Sequence, residues 1–442
     1  MSIAKNRRNF LKAAGLTMAL PVIEGFGQSN SKSRSPDSNA TQSAPTTNSS
    51  IKLSKVTPYV IRTDPPHWGG RTWFFVRLET DNGLVGWGET AVLSTLTGLE
   101  ASYQSLIRGA FSRYLEGNNP IDREALYQRM VKGMTAQHSD YVTMGIISAF
   151  DVALWDIVGK HFDTPVYNLL GGLYRDRVRT YTYIYDMMNM GGTGETIRDW
   201  TSRPKRVAEN AARLVEEGFT ALKFDPIPQS RGQLPTPPWE LSMAEYDHAE
   251  RAVAAVREAV GTRADILIGT HGQITPSAAK RLAARIEQYD PLWLEEPCPP
   301  RNFKEMGVIA RSTSIPIATG ERLVSMFEFQ NLFAEGACAF AQPDLGSCGG
   351  ITACKKIATL AEANYVLMAP HVWGGPIITA AAQQICANIP NFLIQESIYK
   401  SRGFFDEIVV EPFVWENGDL IVTDRPGIGI ALDERKLEQF KV

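Results

Sequence analysis

The second half of the chain carries ionisable residues at intervals, each at the end of a short apolar run or just after one. These residues are Lys223, Asp225, His271, Glu295, Glu321, Asp344, His371 and Glu396. Short apolar runs bounded by turn residues are typical of buried strands. If the runs are the parallel strands of a barrel, their carboxyl ends meet on one face, where barrel enzymes carry their chemistry. The spacing therefore predicts one shared mouth of ionisable groups.

Several of these groups are carboxylates, which repel one another in a shared mouth unless a cation neutralises them. Oxygen ligands suit a hard cation, so this composition predicts one bound Mg²⁺. The lysine and the histidines then remain available as bases.

A mouth of this kind is suited to removing a proton from the carbon beside a carboxylate. That proton is weakly acidic, so its removal needs a positioned base and a cation that holds the enediolate oxygens. We expect neighbouring charge and the nearby metal ion to lower the pKa of Lys223 enough for it to act as one base. His371, oriented by Asp344, is expected to act from the opposite side.

The elements that must position these residues alternate between strands and amphipathic helices from Val178 onward. Strands are predicted at 178–185, 219–225, 265–270, 291–295, 315–319, 337–342, 364–369 and 391–395, with helices such as 203–217, 243–260, 274–288 and 350–362 between them. This rhythm also allows a doubly wound open sheet. Eight repeats within 178–404 favour a (β/α)₈ barrel.

Residues 51–177 follow another pattern, in which strands come first and helices follow, as in a small α+β unit. Asp81-Asn82-Gly83 lies between two β-rich stretches and predicts a hairpin. Helices are predicted at about 99–115, 122–134 and 142–160 from apolar residues at helical spacing. The tail, 405–442, has strand-like pieces at 408–410 and 420–422 and is expected to complete this unit.

The first 50 residues are not predicted to belong to the folded domains. Within 1–27, Arg7-Arg8-Asn9-Phe10-Leu11-Lys12 precedes an apolar run, which resembles a twin-arginine export signal. Residues 28–50 are mostly polar and are predicted to form a disordered linker. We therefore expect a periplasmic protein that does not contact the membrane once its signal is removed.

Composition narrows the possible partners. The net charge of −3, with no block of Lys and Arg beyond the first residues, argues against nucleic-acid binding. The five cysteines include no Cys-x-x-Cys pair and are expected to be buried apolar side chains rather than zinc ligands or a disulfide framework.

The motifs around these residues resemble the mandelate racemase and muconate lactonizing branch of the enolase superfamily. They are Ser148-Ala149-Phe150-Asp151-Val152-Ala153-Leu154-Trp155-Asp156 with Gly159-Lys160, Pro165 and Leu169-Leu170-Gly171-Gly172, then Trp293-Leu294-Glu295-Glu296-Pro297, Gly320-Glu321, Gln342-Pro343-Asp344 with Gly349-Gly350-Ile351, and Pro370-His371. The resemblance covers 51–442, with the motifs in the family's order.

The resemblance implies an α/β protein in which an α+β capping domain covers a (β/α)₈ barrel. It implies Glu295 and Glu321 as Mg²⁺ ligands. It also implies Lys223 as one base and His371 with Asp344 as the opposing dyad, a pairing of bases with Mg²⁺ that is general to the superfamily. A small-molecule substrate and a symmetric homo-oligomer are expected with it.

The same resemblance points to residues that would contact the substrate. Glu396 would hydrogen-bond the substrate carboxylate or its enediolate. Two cap loops, at 67–71 and 134–141, would close over the substrate. Candidate contacts in these loops are His67, Arg71 and His138, and Trp373 is a further candidate.

Two departures from the family pattern concern the metal. The position where the family usually has its first acidic ligand, at the end of strand three, is Gly269 here, and the second basic residue of the Lys-x-Lys motif is Asp225. We hypothesise that Asp225 supplies the missing ligand from the neighbouring strand. His271 is the alternative ligand, and otherwise a general acid for a leaving hydroxyl.

Three functions remain open on sequence alone. Thr270-His271-Gly272, the Lys-x-Asp motif and the Gly320-Glu321 and Gln395-Glu396 endings look most like the galactonate-dehydratase-type subgroup, which favours dehydration of a sugar acid to a 2-keto-3-deoxy acid. A racemase, epimerase or cycloisomerase shares the same first step. The loss of a ligand at Gly269 also allows an exported sugar-acid binding protein without activity.

Overall fold

The computed structural model describes residues 51–64, 67, 69–91, 98–185, 204–227 and 237–442. The predicted export signal at 1–27 and linker at 28–50 lie outside the described residues. Residues 186–203, which are most of the loop after the first barrel strand, also lie outside them. So do residues 228–236, in the loop after the second barrel strand, and residues 65, 66, 68 and 92–97.

The first described unit begins with an antiparallel sheet in the order β1-β2-β3, formed by β1 (Leu53–Arg62), β2 (Thr72–Thr80) and β3 (Val85–Thr90). The predicted hairpin joins β2 to β3, with Gly83 at a φ of 86° and its N–H bonded to the carbonyl of Thr80 at 3.1 Å. Glycine adopts this left-handed conformation without steric cost, which explains the Asn-Gly signal.

Three helices follow this sheet: α1 (Glu100–Tyr114), α2 (Arg123–Met134) and α3 (Tyr141–His161). Helices α1 and α3 pack on the sheet, and α2 packs on the other two helices. By length and composition α3 could cross a membrane, but 89% of its most apolar window is buried inside the protein. It is the central helix of this unit, with apolar residues on all sides because all sides are covered. Asp140 caps its first turn by accepting the N–H groups of Val142 and Thr143 at 3.0 Å.

Polar residues of α3 bind backbone groups that lie elsewhere in the chain. Ser148 accepts the N–H of Gly349 at 2.9 Å, and Asp151 accepts that of Thr352 at 2.9 Å. Asp156 accepts the N–H groups of Trp87 and of the tail residue 428, each at 3.0 Å. These bonds explain why a buried apolar helix carries Ser and Asp at fixed positions.

The second unit contains the eight predicted barrel strands. They are β4 (Arg177–Tyr183), β5 (Ala221–Phe224), β6 (Asp265–Gly269), β7 (Trp293–Glu295), β8 (Ile317–Thr319), β9 (Phe340–Ala341), β10 (Leu367–Met368) and β11 (Gln395–Glu396). Strands β4 to β10 are parallel neighbours in chain order, and β11 pairs with β4. Met368 bridges Phe392, just before β11, so the sheet closes into a barrel and the open-sheet alternative is excluded.

Helices cover the outside of the barrel. In the described residues they are α4 (Val166–Leu169), α5 (Pro204–Glu216), α6 (Met243–Val260), α7 (Pro276–Ile286), α8 (Phe303–Ala310), α9 (Met326–Ala334), α10 (Gly350–Ala363) and α11 (Pro376–Asn388). The four predicted helices agree with α5, α6, α7 and α10 to within a few residues. Inside the barrel a separate apolar layer includes Tyr181, Leu267, Trp293 and Ile394. All five cysteines are buried and free, as expected.

The tail contacts both units. It contains α12 (Phe404–Glu407), β12 (Trp415–Glu416), β13 (Asp419–Ile421) and α13 (Glu434–Leu437). Strand β13 runs antiparallel to β4, and the carbonyl of Phe440 accepts the N–H of Arg62 at 2.8 Å. The tail therefore returns to the first sheet, as predicted. The strand expected at 408–410 is wrong, because Val409 makes a single bridge to Leu432.

Candidate active site

The predicted ionisable residues do converge on the carboxyl ends of the barrel strands. Glu295 and Glu396 end their strands, and Lys223 is the penultimate residue of β5. Asp225, His271, Glu321, Asp344 and His371 follow their strands by one to three residues. All eight are largely buried, and the side chain of Lys223 is fully so.

Lys223 lies among carboxylates. Its ammonium donates to Oε1 of Glu295 and lies 3.4 Å from Oε1 of Glu396. The other oxygen of Glu295 accepts the side-chain amide of Gln342 at 2.8 Å. Charged groups remain in the interior when they are paired in this way.

His371 and Asp344 form a dyad. Nδ1 of His371 lies 2.7 Å from Oδ2 of Asp344. The other carboxylate oxygen of Asp344, Oδ1, accepts the N–H of Gly346 at 2.7 Å. The backbones of the two residues also bridge. Because Nδ1 is engaged, Nε2 is the nitrogen left for chemistry. It lies 3.6 Å from carboxylate oxygens of both Glu321 and Glu396.

Glu396 lies between the two candidate bases. Its Oε1 is 3.4 Å from Nζ of Lys223 and its Oε2 is 3.6 Å from Nε2 of His371. The backbone N–H of Val372 donates to the same Oε2 at 2.8 Å and fixes the carboxylate. The two bases therefore approach one carboxylate from its two oxygens.

The surrounding carboxylates raise the pKa values of Lys223 and His371. Burial lowers the pKa of Lys223, but Glu295 and Glu396 outweigh it and hold that pKa well above its ordinary value. The protein's own charges therefore do not produce the expected lowering of the pKa of Lys223, because the nearest of them are carboxylates. Burial likewise opposes the charge on His371, yet Glu396, Glu321 and Asp344 raise its pKa to about 10.

A second histidine–carboxylate pair lies across the mouth. Nδ1 of His271 is 3.2 Å from Oδ1 of Asp225, while Oδ2 of Asp225 accepts the hydroxyl of Tyr185 at 2.7 Å. Burial disfavours the charged form of each. Their mutual attraction outweighs this, raising the pKa of His271 to about 9 and lowering that of Asp225. A Cβ on Gly269 would overlap Oδ1 of Asp225, so this carboxylate fills the side-chain space at position 269.

The carboxylates of the mouth are the groups that could bind a divalent cation. In the described ranges, no three His, Cys, Asp or Glu side chains are already gathered as a metal site. Lys223 and the two histidines compensate the negative charge instead. However, within the same residues Oε2 of Glu321 is buried and accepts no hydrogen bond. A buried carboxylate oxygen without a donor, beside further carboxylates, is a donor set that suits a hard cation.

Of the predicted substrate contacts, the structure brings one to the cluster. Trp373 follows the His371 loop and meets the ring of Tyr183 edge-on at 6.0 Å. His67 faces Thr63, with Nδ1 3.0 Å from its hydroxyl. Arg71 and His138 are exposed. For these three residues, no hydrogen bond or ion pair to the cluster is formed among the described residues. The substrate contacts of all four residues, Trp373 included, stay predictions.

Sequence reasoning missed several residues of the mouth. The rings of Tyr181 and Tyr183 lie 5.7 and 5.1 Å from the ammonium of Lys223. Arg322 is 3.1 Å from Oε2 of Glu296 and 3.5 Å from Oε1 of Glu321. The aromatic alternation at the end of β4 and the charge directly after Gly320-Glu321 were signals that could have found them.

Two family models match this chain. The mandelate racemase/muconate lactonizing enzyme N-terminal domain matches residues 53–171, and the enolase C-terminal domain-like family matches residues 206–436. Together they cover the first sheet and its helices and most of the barrel.

Curated proteins and solved structures agree with these matches. D-xylonate dehydratase of Haloferax volcanii is 35% identical over 376 residues, 85% of this chain and 86% of that protein. D-galactonate dehydratase of Variovorax paradoxus is 34% identical over 83% of this chain and 90% of its own. The structure of a mandelate racemase/muconate lactonizing enzyme from Jannaschia sp. CCS1 is 38% identical, with a TM-score of 0.80 over 88% of this chain and 98% of that one.

Proposed function

Because this chain belongs to the mandelate racemase and muconate lactonizing enzyme family of the enolase superfamily, we propose that it is a hydro-lyase that dehydrates a sugar acid. The relatives that carry the names D-xylonate and D-galactonate dehydratase support this reaction class. The product would be a 2-keto-3-deoxy acid.

One observation carries the choice of dehydration: the mouth holds a second histidine–carboxylate pair besides the two opposed bases. Removing a proton from one face of a carbon and returning it to the other face uses two opposed groups, which Lys223 and His371 would supply. Expelling a hydroxyl from the next carbon needs a further proton donor. His271, with Nδ1 held 3.2 Å from Asp225, is placed to be that donor.

Different residues would remove the proton and donate the proton to the leaving hydroxyl. Nε2 of His371 or Nζ of Lys223 takes the proton from the carbon beside the carboxylate, depending on which face of the substrate it meets. Asp344 holds Nδ1 of His371 and so aims Nε2. His271 gives its proton to the departing hydroxyl, which leaves as water. The resulting enol tautomerises to the 2-keto-3-deoxy acid, because it gains a proton at the carbon that lost the hydroxyl and releases the proton of its enol oxygen.

A divalent cation, for which we propose Mg²⁺, would be held by Asp225, Glu295 and Glu321. It would stabilise negative charge on the substrate carboxylate and, by sharing the carboxylates, lower the pKa of the bases. This choice rests on the oxygen donors and on the buried oxygen of Glu321 without a hydrogen bond.

The test is a screen of sugar acids in heavy water with added MgCl₂, followed by proton NMR. We expect at least one aldonate or aldarate to yield a 2-keto-3-deoxy acid. His271→Asn, which keeps an amide for Asp225 but cannot donate a proton in the same way, should lose dehydration by about 10²–10⁴-fold. Exchange of the α-hydrogen should persist in that variant.

A racemase or epimerase is the second candidate, and the approach of both Lys223 and His371 to Glu396 favours it. In the same screen it would give inversion and α-deuterium incorporation with no keto acid from any substrate. That result would contradict dehydration. Failure to bind any divalent metal would instead support a binding protein without activity.

We also propose that the protein is exported to the periplasm, which rests on the Arg7-Arg8 pattern alone. Replacing both arginines by lysine should leave the protein in the cytosol. Finding the unaltered protein only in the cytosolic fraction would contradict export.

A symmetric homo-oligomer is likewise proposed, from the family alone. Light scattering after size exclusion should give a multiple of the chain mass, and a mass of one chain at micromolar concentration would contradict it.

A further inference from the structure

Asp225 and Gly269 lie side by side at the rim of the barrel. Lys223 of β5 pairs with Leu267 of β6, and residue 224 pairs with residue 268. Position 225 therefore continues the register to position 269, which in turn pairs with Glu295 of β7. Residues in register across parallel strands direct their side chains to the same side. Positions 225, 269 and 295 thus form one row across three strands.

The backbone conformation at position 269 does not require a glycine. It ends β6 and is not among the residues with positive φ, so an L-residue would be conformationally allowed. What forbids a side chain is space, because a Cβ at this position would overlap Oδ1 of Asp225 and lie 3.3 Å from its Cγ. The next nearest atom is Cε of Lys223, at 3.5 Å.

Asp225 is held in this orientation from behind. Its Oδ2 accepts the hydroxyl of Tyr185 at 2.7 Å, and its own N–H donates to the same hydroxyl oxygen at 2.9 Å. The carboxylate is fully buried. With Oδ2 fixed by Tyr185, Oδ1 is directed over Gly269, and it lies 3.2 Å from Nδ1 of His271.

We propose that Asp225 and Gly269 form a coupled exchange, in which β5 supplies a metal-binding carboxylate at the place of the absent side chain of β6. Asp225 lies across Gly269, so that its Oδ1 completes the set with Glu295 of β7 and Glu321 of β8. Gly269 is the residue that makes this possible, since any side chain there displaces Asp225. The inference rests on the proposed metal dependence but not on the identity of the substrate.

The exchange predicts rescue by a reciprocal substitution. Asp225→Ala removes the carboxylate, and its Kd for Mg²⁺, measured by calorimetry, should rise at least about tenfold. Adding Gly269→Asp to Asp225→Ala returns a carboxylate to the same space from β6. The double variant should bind Mg²⁺ within about threefold of the unaltered protein, as expected for a restored oxygen ligand.

Two single variants test the coupling without removing a carboxylate. Gly269→Ala should weaken Mg²⁺ binding because its methyl group displaces Asp225, and Tyr185→Phe should weaken it less, because Oδ2 loses its donor. Circular dichroism with a chelator present confirms that each variant is folded. If the double variant does not fold, Gly269→Ala decides.

An Asp225→Ala variant with unchanged Mg²⁺ affinity would overturn the exchange, and so would a folded double variant that binds no better than Asp225→Ala. Unchanged affinity in Gly269→Ala would do the same. If the unaltered protein binds Mg²⁺ and the rescue succeeds but no sugar acid is dehydrated, the proposed function fails while the exchange stands. If the unaltered protein dehydrates a sugar acid but the double variant does not regain Mg²⁺ binding, the proposed function stands and the exchange fails.

Discussion

Each ionisable residue of the mouth is compensated by a specific partner rather than by solvent. The ammonium of Lys223 has Glu295 and Glu396, and Nδ1 of His371 has Asp344. A buried charge that loses its partner costs several kcal/mol, so the cluster must be present as a whole. Substitutions in this cluster should therefore change the charge of a side chain while keeping its shape.

Asp344→Asn keeps the shape of the dyad and should preserve the fold, since its Oδ1 can still accept the N–H of Gly346. Without the carboxylate, His371 loses the partner that orients Nδ1, and kcat should fall by about 10²–10⁴-fold with a small change in KM. Steady-state kinetics and the pH profile of kcat measure this. Asp163→Asn, an exposed change just after α3, serves as control. Equal kcat for the two variants would refute the role of Asp344.

Secondary-structure elements approach one another closely where β3 meets α3. Gly86 and Gly88 lie on the same side of β3, and a Cβ at either would overlap a carbonyl oxygen of α3, that of Ala153 or Ala149. The alternating glycines of β3 thus match the four-residue spacing of the helix. Strand and helix backbones are in direct contact here.

Gly88→Ala should consequently destabilise the protein by about 1–3 kcal/mol, since the added methyl separates β3 from α3. Gly109→Ala is the matched control. Gly109 lies within α1, and a Cβ there meets nothing within 4 Å. Alanine should stabilise that helix by about 0.5–1 kcal/mol. Urea unfolding of both variants compares the two, and a stability loss at Gly109 equal to that at Gly88 would show that packing is not the cause.

A carboxylate of the first sheet caps a barrel helix. Glu89 of β3 is fully buried and accepts the N–H groups of Gly375, Ile377 and Ile378 at the start of α11. Burial raises the pKa of Glu89 to about 8, although these N–H groups oppose the shift. The loop that carries His371 leads directly into this helix, so Glu89 joins the two units beside the mouth.

The raised pKa of Glu89 makes stability depend on pH. Between its ordinary pKa of 4.5 and about 8 the folded protein keeps the proton and the unfolded chain releases it. This contribution is fully present below pH 4.5 and is lost as pH rises through 8. Glu89→Gln cannot titrate, so its free energy of unfolding relative to the unaltered protein should rise across this window, by about 1 kcal/mol per pH unit. Urea midpoints at several pH values give the slope, and a constant difference would contradict the assignment.

Within the described residues, the tail links the barrel to the first sheet. Phe440 packs edge-on against Phe404 at 4.7 Å, and Phe404 lies 5.4 Å from Trp73 at the start of β2. The indole N–H of Trp73 donates to the carbonyl of Gly69 at 2.9 Å, in the first cap loop. A chain of contacts thus runs from the last residues to the loop expected to cover the substrate.

Phe440→Ala should break this chain, with a loss of about 2 kcal/mol in stability because the ring is partly buried. KM should rise severalfold while kcat changes less, since the cap loop loses its support and the bases do not. Val442→Ala keeps the N–H bond to Val60 and removes only an exposed side chain, so it should behave like the unaltered protein. An unchanged KM in Phe440→Ala would show that the tail does not reach the loop.

Local sequence was sufficient for the succession of elements and for the residues at the strand ends. Strand and helix periodicity depends on neighbours within a few positions, and so does the Asn-Gly turn. The eight strands, the hairpin and the placement of Lys223 and Glu295 could therefore be predicted. The ends of the strands were less certain, because pairing with the next strand decides where each one ends.

The partners of the buried charges could not be predicted, because they come from residues far apart in the chain. The bond between Glu89 and Gly375 joins residues 286 positions apart, and the ion pair of Lys223 with Glu295 spans 72. The first bond forms because the first sheet packs on the barrel. The second pair forms because the closed barrel brings strand ends together, and it helps to raise the pKa of Lys223. The same closure lays Asp225 across Gly269, a relation in space that the two residues, 44 positions apart, do not reveal on their own.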